Sequence, residues 1–137
     1  MSSHSEEVLP LTRELAKAMK LDMSLIMVIP TLSQLFVGTE PVAYPSKALE
    51  QVDKYAREYL KEKAEQIESE DGLKLSWKVV QGDIGRGIID DADSQANSMI
   101  AMSTHGRTGL GRWVQGSVTD KVIRSSGRPV LVIRPSD

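Results

Sequence analysis

The hydrophobic and polar positions alternate between a helical period and a strand period along the whole chain. In "SEEVLPLTRELAKAMK", Leu11, Leu15, Ala18 and Met19 recur at helical spacing, with Ser5 placed as an N-cap and Glu6 and Glu7 in the first turn. They predict a first helix in which Pro10 is tolerated because it lies near the start. "DMSLIMVIP" is continuously apolar until Pro30, the pattern of a strand covered on both faces. The next segment, "TLSQLFVGTEPVAYP", has turn residues and no period, and predicts a loop long enough to act as a lid. From Ser46 to about Glu70, Leu49, Val52, Ala56, Tyr59, Leu60, Lys63 and Ile67 trace one stripe of a long amphipathic helix, with Tyr55 and Tyr59 as partly buried packing.

A turn at Asp71 and Gly72 leads into "LKLSWKVVQG", where Leu73, Leu75, Trp77 and Val79 alternate as in a strand with one wetter face, suited to a sheet edge. A helix over about Gly85 to Ala96, a buried strand "SMIAMS", a last helix from Ser117 to Ser126 and a last strand "RPVLVIRP" complete the series. Strands separated by helices imply right-handed crossovers, hence an α/β fold with an open parallel sheet and helices on both faces.

Length and composition narrow the class. A chain of 137 residues predicts a single domain, 1–137, large enough for a real core. The absence of cysteine excludes disulfides and thiolate metal sites. Apolar runs such as Leu25 to Ile29 are too short to cross a bilayer, and no basic-then-apolar leader opens the sequence, so the expectation is a cytoplasmic protein without a membrane partner. The net charge of −2 is uneven: from Ser103 onward six basic residues face two acidic ones, so that part carries +4 and the remainder −6. An anion partner fits the basic part, as do arginines that simply face solvent. Nucleic acid does not fit an acidic chain with no basic stripe interleaved with aromatics. The cluster Asp90, Asp91 and Asp93 reads as a solvated acidic face, because neighbouring helix positions point in different directions.

The candidate chemistry lies in "MSTHGRTGLGRWVQGSV", Met102 to Val118, which leaves the carboxyl end of a strand and enters the last helix. Ligands of open parallel sheets bind beyond such ends. Gly106, Gly109 and Gly111 permit conformations and close approaches that a side chain would block. Gly116 and Ser117 open a helix whose first amides and partial positive charge favour a phosphate. Ser117 is placed to cap that helix, to bind a phosphate oxygen, or to help hold a phosphate-bound cation.

The spacing Ser103, Gly106, then nine residues, then Gly116 and Ser117 resembles the nucleotide-binding signature of the universal stress protein family. "THGRTGLGRWVQGSVTDKVIRSSGRPVLVIR" is similar to that family's C-terminal block, and the likeness extends to "EEVLPLTRELAKAM", "LIMVIP" and "VVQGDIGRGIIDDADSQANSMIAMSTHG". The resemblance implies a Rossmann-like sheet of the adenine nucleotide alpha hydrolase type that binds ATP, with Mg²⁺ as an accompanying ion. It implies that Val28 meets the adenine or ribose through its backbone and that Met102 and Ser103 border the sugar and phosphates. Gly106, Arg107, Gly116, Ser117 and Val118 would wrap the phosphate chain, and His105 would be a loop or contact residue, since nothing in the sequence offers it a catalytic partner. The function implied is a regulatory stress-response protein, not an enzyme, forming a homodimer through Pro129 to Arg134. The alternative is a dimeric interaction module of the same fold that has lost the nucleotide.

Two departures accompany the likeness. Ser103 stands where the family motif has its first glycine. Family members also begin with an apolar strand ending in an aspartate, followed by glycine, serine and helix one, whereas here Met1 falls where that glycine would be. The resemblance therefore implies that the first family strand and its adenine-recognising Asp are absent from the sequence. In the family order 3-2-1-4-5 that strand is central, so its absence leaves two buried strands with unpaired edges, each buried unpaired group costing about 1–3 kcal/mol. The favoured expectation is a recorded start that lies too late; a sheet that closes around the gap and a strand from another chain are the other two.

Overall fold

The computed structural model describes residues 3–30, 46–104 and 116–135. In chain order the elements are α1 (Ser3–Glu6), α2 (Leu9–Met19), β1 (Met23–Ile29), α3 (Ser46–Asp71), β2 (Leu75–Gln81), α4 (Ile84–Asp93), β3 (Ile100–Ser103), α5 (Ser117–Ser125) and β4 (Val130–Ile133). The expected first helix is thus two helices. Pro10, at the second position of α2, has no N–H to give and its ring would strike the Glu6 carbonyl of a continuous helix. The chain therefore breaks over 7–8 and restarts, which puts Ser5 inside α1 instead of at a cap. The Thr12 hydroxyl donates to the Val8 carbonyl at 2.6 Å just where α2 begins.

The chain divides into two compact units, Ala16–Gly87 and Met1–Leu15 with Ile88–Asp137. In the first, β1 and β2 run parallel in register from Met23 opposite Leu75 to Ile29 opposite Gln81. Ala56 and Leu60 of α3 bury themselves against Ile29 and Val79, with Leu25, Met27 and Trp77 packed around them. These strand residues share one face, since side chains alternate along a strand. The other face receives the first turn of α4: a Cβ on Gly87 would lie 2.8 Å from Cγ2 of Val28. Gly72 ends α3 with φ +68°, its N–H donating to the Glu68 carbonyl at 2.9 Å, which makes the predicted turn at Asp71 and Gly72 a helix C-cap.

In the second unit β3 and β4 are parallel, from Ile100 opposite Val130 to Ser103 opposite Ile133. Ile89 and Ala92 of α4, Ile100 of β3 and Val122 of α5 form its core, flanked by Ile88, Met102, Val118 and Val130. Among the described residues the strands form two separate parallel pairs, β1 with β2 and β3 with β4. The α/β class with parallel strands holds, and among the described residues β1 pairs with β2 and β3 with β4.

Three local expectations differ. Leu11 and Met19 are 47% and 57% exposed while Ala16 is buried, so α2 turns a small residue inward and its apolar stripe is wider than the surface that receives it. Tyr55 is 60% exposed and stacks on Tyr59 with ring centroids 6.4 Å apart, because its position on α3 lies to the side of the Ala56–Leu60 contact line. Helix α4 stops at Asp93, short of Ala96, because the Ser94 hydroxyl donates to the Asp91 carbonyl at 2.6 Å and closes the last turn. The segment expected to act as a lid, residues 31–45, lies outside the described residues.

Candidate functional site

β3 brings Met102 and Ser103 to the carboxyl end of its strand pair, where the Thr104 N–H donates to the Ile133 carbonyl at 3.0 Å and fixes the exit of the chain. The chain enters α5 at Gly116, which is the N-cap, in the left-handed region at φ 81° and ψ 15°. That conformation is open to glycine and strained for other residues, and it directs the chain into the helix. The Gly116 carbonyl accepts from the Asp120 N–H, so the helix is wound from its first residue. Gly116, as the N-cap residue, brings no side-chain cap of its own. Ser117 is the first helical residue and is exposed, so of its three possible roles capping is the one this position does not provide.

The first amides of α5, from Ser117, Val118 and Thr119, lie beyond the reach of i to i−4 pairing within the helix, and the partial positive charge of the helix end adds to them. An anion with several oxygens matches this arrangement. The acidic residue of the first turn, Asp120, is engaged by Arg124 at 2.9 Å one turn later, and the carboxylate in turn holds the Arg124 guanidinium above its ordinary range. Val118 and Met102 pack on the same buried cluster, so the end of β3 and the start of α5 are tied to one rigid base.

Met102, Ser103, Gly116, Ser117 and Val118 all fall in the unit of Met1–Leu15 with Ile88–Asp137. Val28 belongs to the other unit. Its N–H and C=O lie on the edge of β1 away from β2, since Met23 and Ile29 use theirs toward β2 and the direction alternates. Those two groups are therefore not used by the β2 ladder. His105, Gly106 and Arg107, with Arg112 and Trp113, lie outside the described residues.

Two residues that shape helix starts were not singled out by the sequence reading. Thr119 is buried at 6% exposure directly under Gly116, its Cβ 3.7 Å from where a Gly116 Cβ would stand. Asp83 caps α4, its carboxylate accepting from the Arg86 N–H at 2.8 Å. The Asp three residues before Arg86, following Gly82, was the available signal for that cap. Among the described residues no group of three His, Cys, Asp or Glu is placed to hold a metal, and Asp93 faces Arg128 at 3.6 Å. No helix among them is long and apolar enough to cross a membrane.

Comparison with known proteins gives a consistent picture. The profile of the universal stress protein family matches residues 1–134. Universal stress protein MJ0577 of Methanocaldococcus jannaschii is 39% identical over 80 residues, 56% of this chain and 49% of that protein. Universal stress protein MJ0531 of the same organism is 33% identical over 72 residues, 53% of this chain and 42% of the relative. The chain thus spans about half the length of the curated relatives it matches. The solved structure of MJ0577 superposes with a TM-score of 0.68 at 26% identity, covering 99% of this chain and 93% of that one. UspA from Lactobacillus plantarum, at 15% identity and a TM-score of 0.74 over 94% and 88% of the two chains, shares the fold, as does a universal stress protein solved in complex with cAMP, at 20% identity and 0.67 over 98% and 90%.

Proposed function

The chain belongs to the universal stress protein family, and from that premise we propose that it is a regulatory, non-catalytic protein that binds an adenine nucleotide, ATP, in the cytoplasm as a homodimer. The observation that supports the ligand is Gly116: a left-handed N-cap residue without a side chain, opening α5. In this reading Met102, Ser103, Ser117 and Val118 border the nucleotide, and Gly106 and Arg107 complete the signature in sequence. Val28 offers backbone groups of the kind that read an adenine edge. That a related protein of this fold has been solved with cAMP supports an adenine ligand as the class.

Nothing in the reading requires a hydrolytic step. A catalytic function needs a base positioned on a nucleophile, and no such pair is assigned to this site. Dimerisation is attributed to β4, whose four residues are half buried and which pairs with β3 on one edge only among the described residues.

Isothermal titration calorimetry of the folded chain with ATP tests the reading. Saturable heat in wild type, with an affinity at least about tenfold weaker in Gly116→Ala, is the expected result, a factor of ten being about 1.4 kcal/mol of binding free energy. Correctly folded protein that gives no heat with ATP would leave the dimeric interaction module as the function of this fold.

A further inference from the structure

Helix α3 carries an aromatic and acidic line beside its packing face. Ala56 and Leu60 make the contact with Ile29 and Val79, whereas Tyr55 stays 60% exposed although it stacks on Tyr59 with an interplanar angle of 23°. Val52, one turn before Tyr55, is 40% exposed. Glu58 and Glu62, on the turns that follow Tyr55, are exposed as well. Positions three and four apart are neighbours on a helix surface, so Val52, Tyr55, Glu58 and Glu62 form one continuous line.

What such a ring attracts is visible one turn further along the same helix. The Lys63 ammonium stands 5.8 Å from the centroid of the Tyr59 ring. A cation is drawn to the negative face of an aromatic ring, and a lysine four positions after the tyrosine supplies one. Tyr55 has the same kind of ring, but the positions one turn from it are Gln51, Val52, Glu58 and Tyr59, none of them a cation. Arg57 is turned to Asp53, which it meets at 2.8 Å. An exposed ring bordered by carboxylates is complementary in charge to a cation brought from outside.

We propose that this line of α3 is a docking site for an arginine-bearing segment of another protein. One guanidinium stacks on Tyr55 and is forked by Glu58, a second faces Glu62, and an aliphatic side chain covers Val52. Arginine suits the place better than lysine, because its planar group stacks on a ring and bonds a carboxylate bidentately. The spacing sets the conformation of the partner. From Val52 to Glu62 the helix rises about 15 Å. Three residues at alternate positions of an extended segment span about 13 Å, so the segment reads aliphatic, any residue, arginine, any residue, arginine. Each contact is weak at an exposed position, so the three act together.

The test titrates the 137-residue chain with the peptide acetyl-Gly-Leu-Ser-Arg-Ser-Arg-Gly-amide and follows the Tyr55 ring by NMR. Saturable shifts are expected at the ring and at the Glu58 amide, with a dissociation constant of about 1 mM or below. Citrulline in place of both arginines keeps the shape, removes the charge and should weaken binding about tenfold or more. Tyr55→Leu, which keeps apolar area and removes the π face, and Glu58→Gln should each weaken it about three- to fivefold. Both side chains are exposed, so an unchanged melting temperature confirms that the variants fold. Glu50→Gln removes the same charge from an exposed position about 140° around the helix from Tyr55, and should leave the affinity within about twofold. Absence of a saturable shift at millimolar peptide would overturn the proposal, as would equal binding of the citrulline peptide. Equal losses in Glu50→Gln and Glu58→Gln would overturn it too, leaving only attraction between net charges. Ring shifts on concentrating the chain alone, with a sedimenting dimer that Tyr55→Leu abolishes, would overturn it in favour of a second copy as the occupant. None of these readouts involves nucleotide, so their failure and a failure of ATP binding are separate results.

Discussion

A Cβ added at Gly116 would meet nothing nearer than the Thr119 Cβ at 3.7 Å, so the obstacle to a side chain there is its φ of +81° and not lack of room. Left-handed backbone costs a non-glycine residue about 1–2 kcal/mol. Gly116→Ala is therefore expected to lower the unfolding free energy by about that amount in a urea melt, in addition to its effect on ATP. At Gly87 the reasoning reverses. Its backbone is ordinary and helical, so alanine alone would gain up to about 1 kcal/mol from helix propensity. The new Cβ, however, would stand 2.8 Å from Cγ2 and 3.1 Å from Cγ1 of Val28, a β-branched side chain whose χ1 is restricted. Overpacking of this kind costs about 1–3 kcal/mol, so Gly87→Ala should destabilise the protein. Val28→Ala in the same chain should recover part of that loss, and a double-mutant cycle showing no coupling would contradict the contact.

At the scale of elements, the starts of helices separate what could be read from the sequence and what could not. α4 opens on Asp83, whose carboxylate takes the Arg86 N–H, while the Gly87 N–H takes the Asp83 carbonyl, both at 2.8 Å. Asp83→Ala should cost about 1 kcal/mol, measured as a shift in the urea midpoint with an unchanged slope. The periodic elements were legible because each has a dense pattern: α3 from Ser46 to Asp71, β1 up to Pro30, β2 by its alternation, and α5 starting at Ser117. The break between α1 and α2 was less legible, since the collision of Pro10 with the Glu6 carbonyl arises only once the helix is extended backward through it. Exposure of Leu11, Met19 and Tyr55 was not legible either. A stripe states which residues are apolar, whereas the number of neighbouring strands decides how much of the stripe is covered. For the site, the glycine and serine at 116 and 117 were readable as a helix start, but the cap itself is made by Gly116 through its conformation, which no residue pattern states. Thr119 was missed because a single threonine within a polar turn carries no signal of burial.

For the molecule as a whole, a nucleotide that binds the folded state and not the unfolded chain would appear as stability. A ligand present at 100 times its dissociation constant contributes about 2.7 kcal/mol. For a chain of this size that corresponds to a rise in the melting temperature of about 8 °C. ATP at that excess should produce the shift in wild type. Gly116→Ala, with affinity weakened tenfold, should show about half of it at the same ATP concentration, because the contribution grows with the logarithm of ligand over dissociation constant. If instead Gly116→Ala keeps the full ATP shift at the same ATP concentration, the assignment of the phosphate site to Gly116, Ser117 and Val118 would fall.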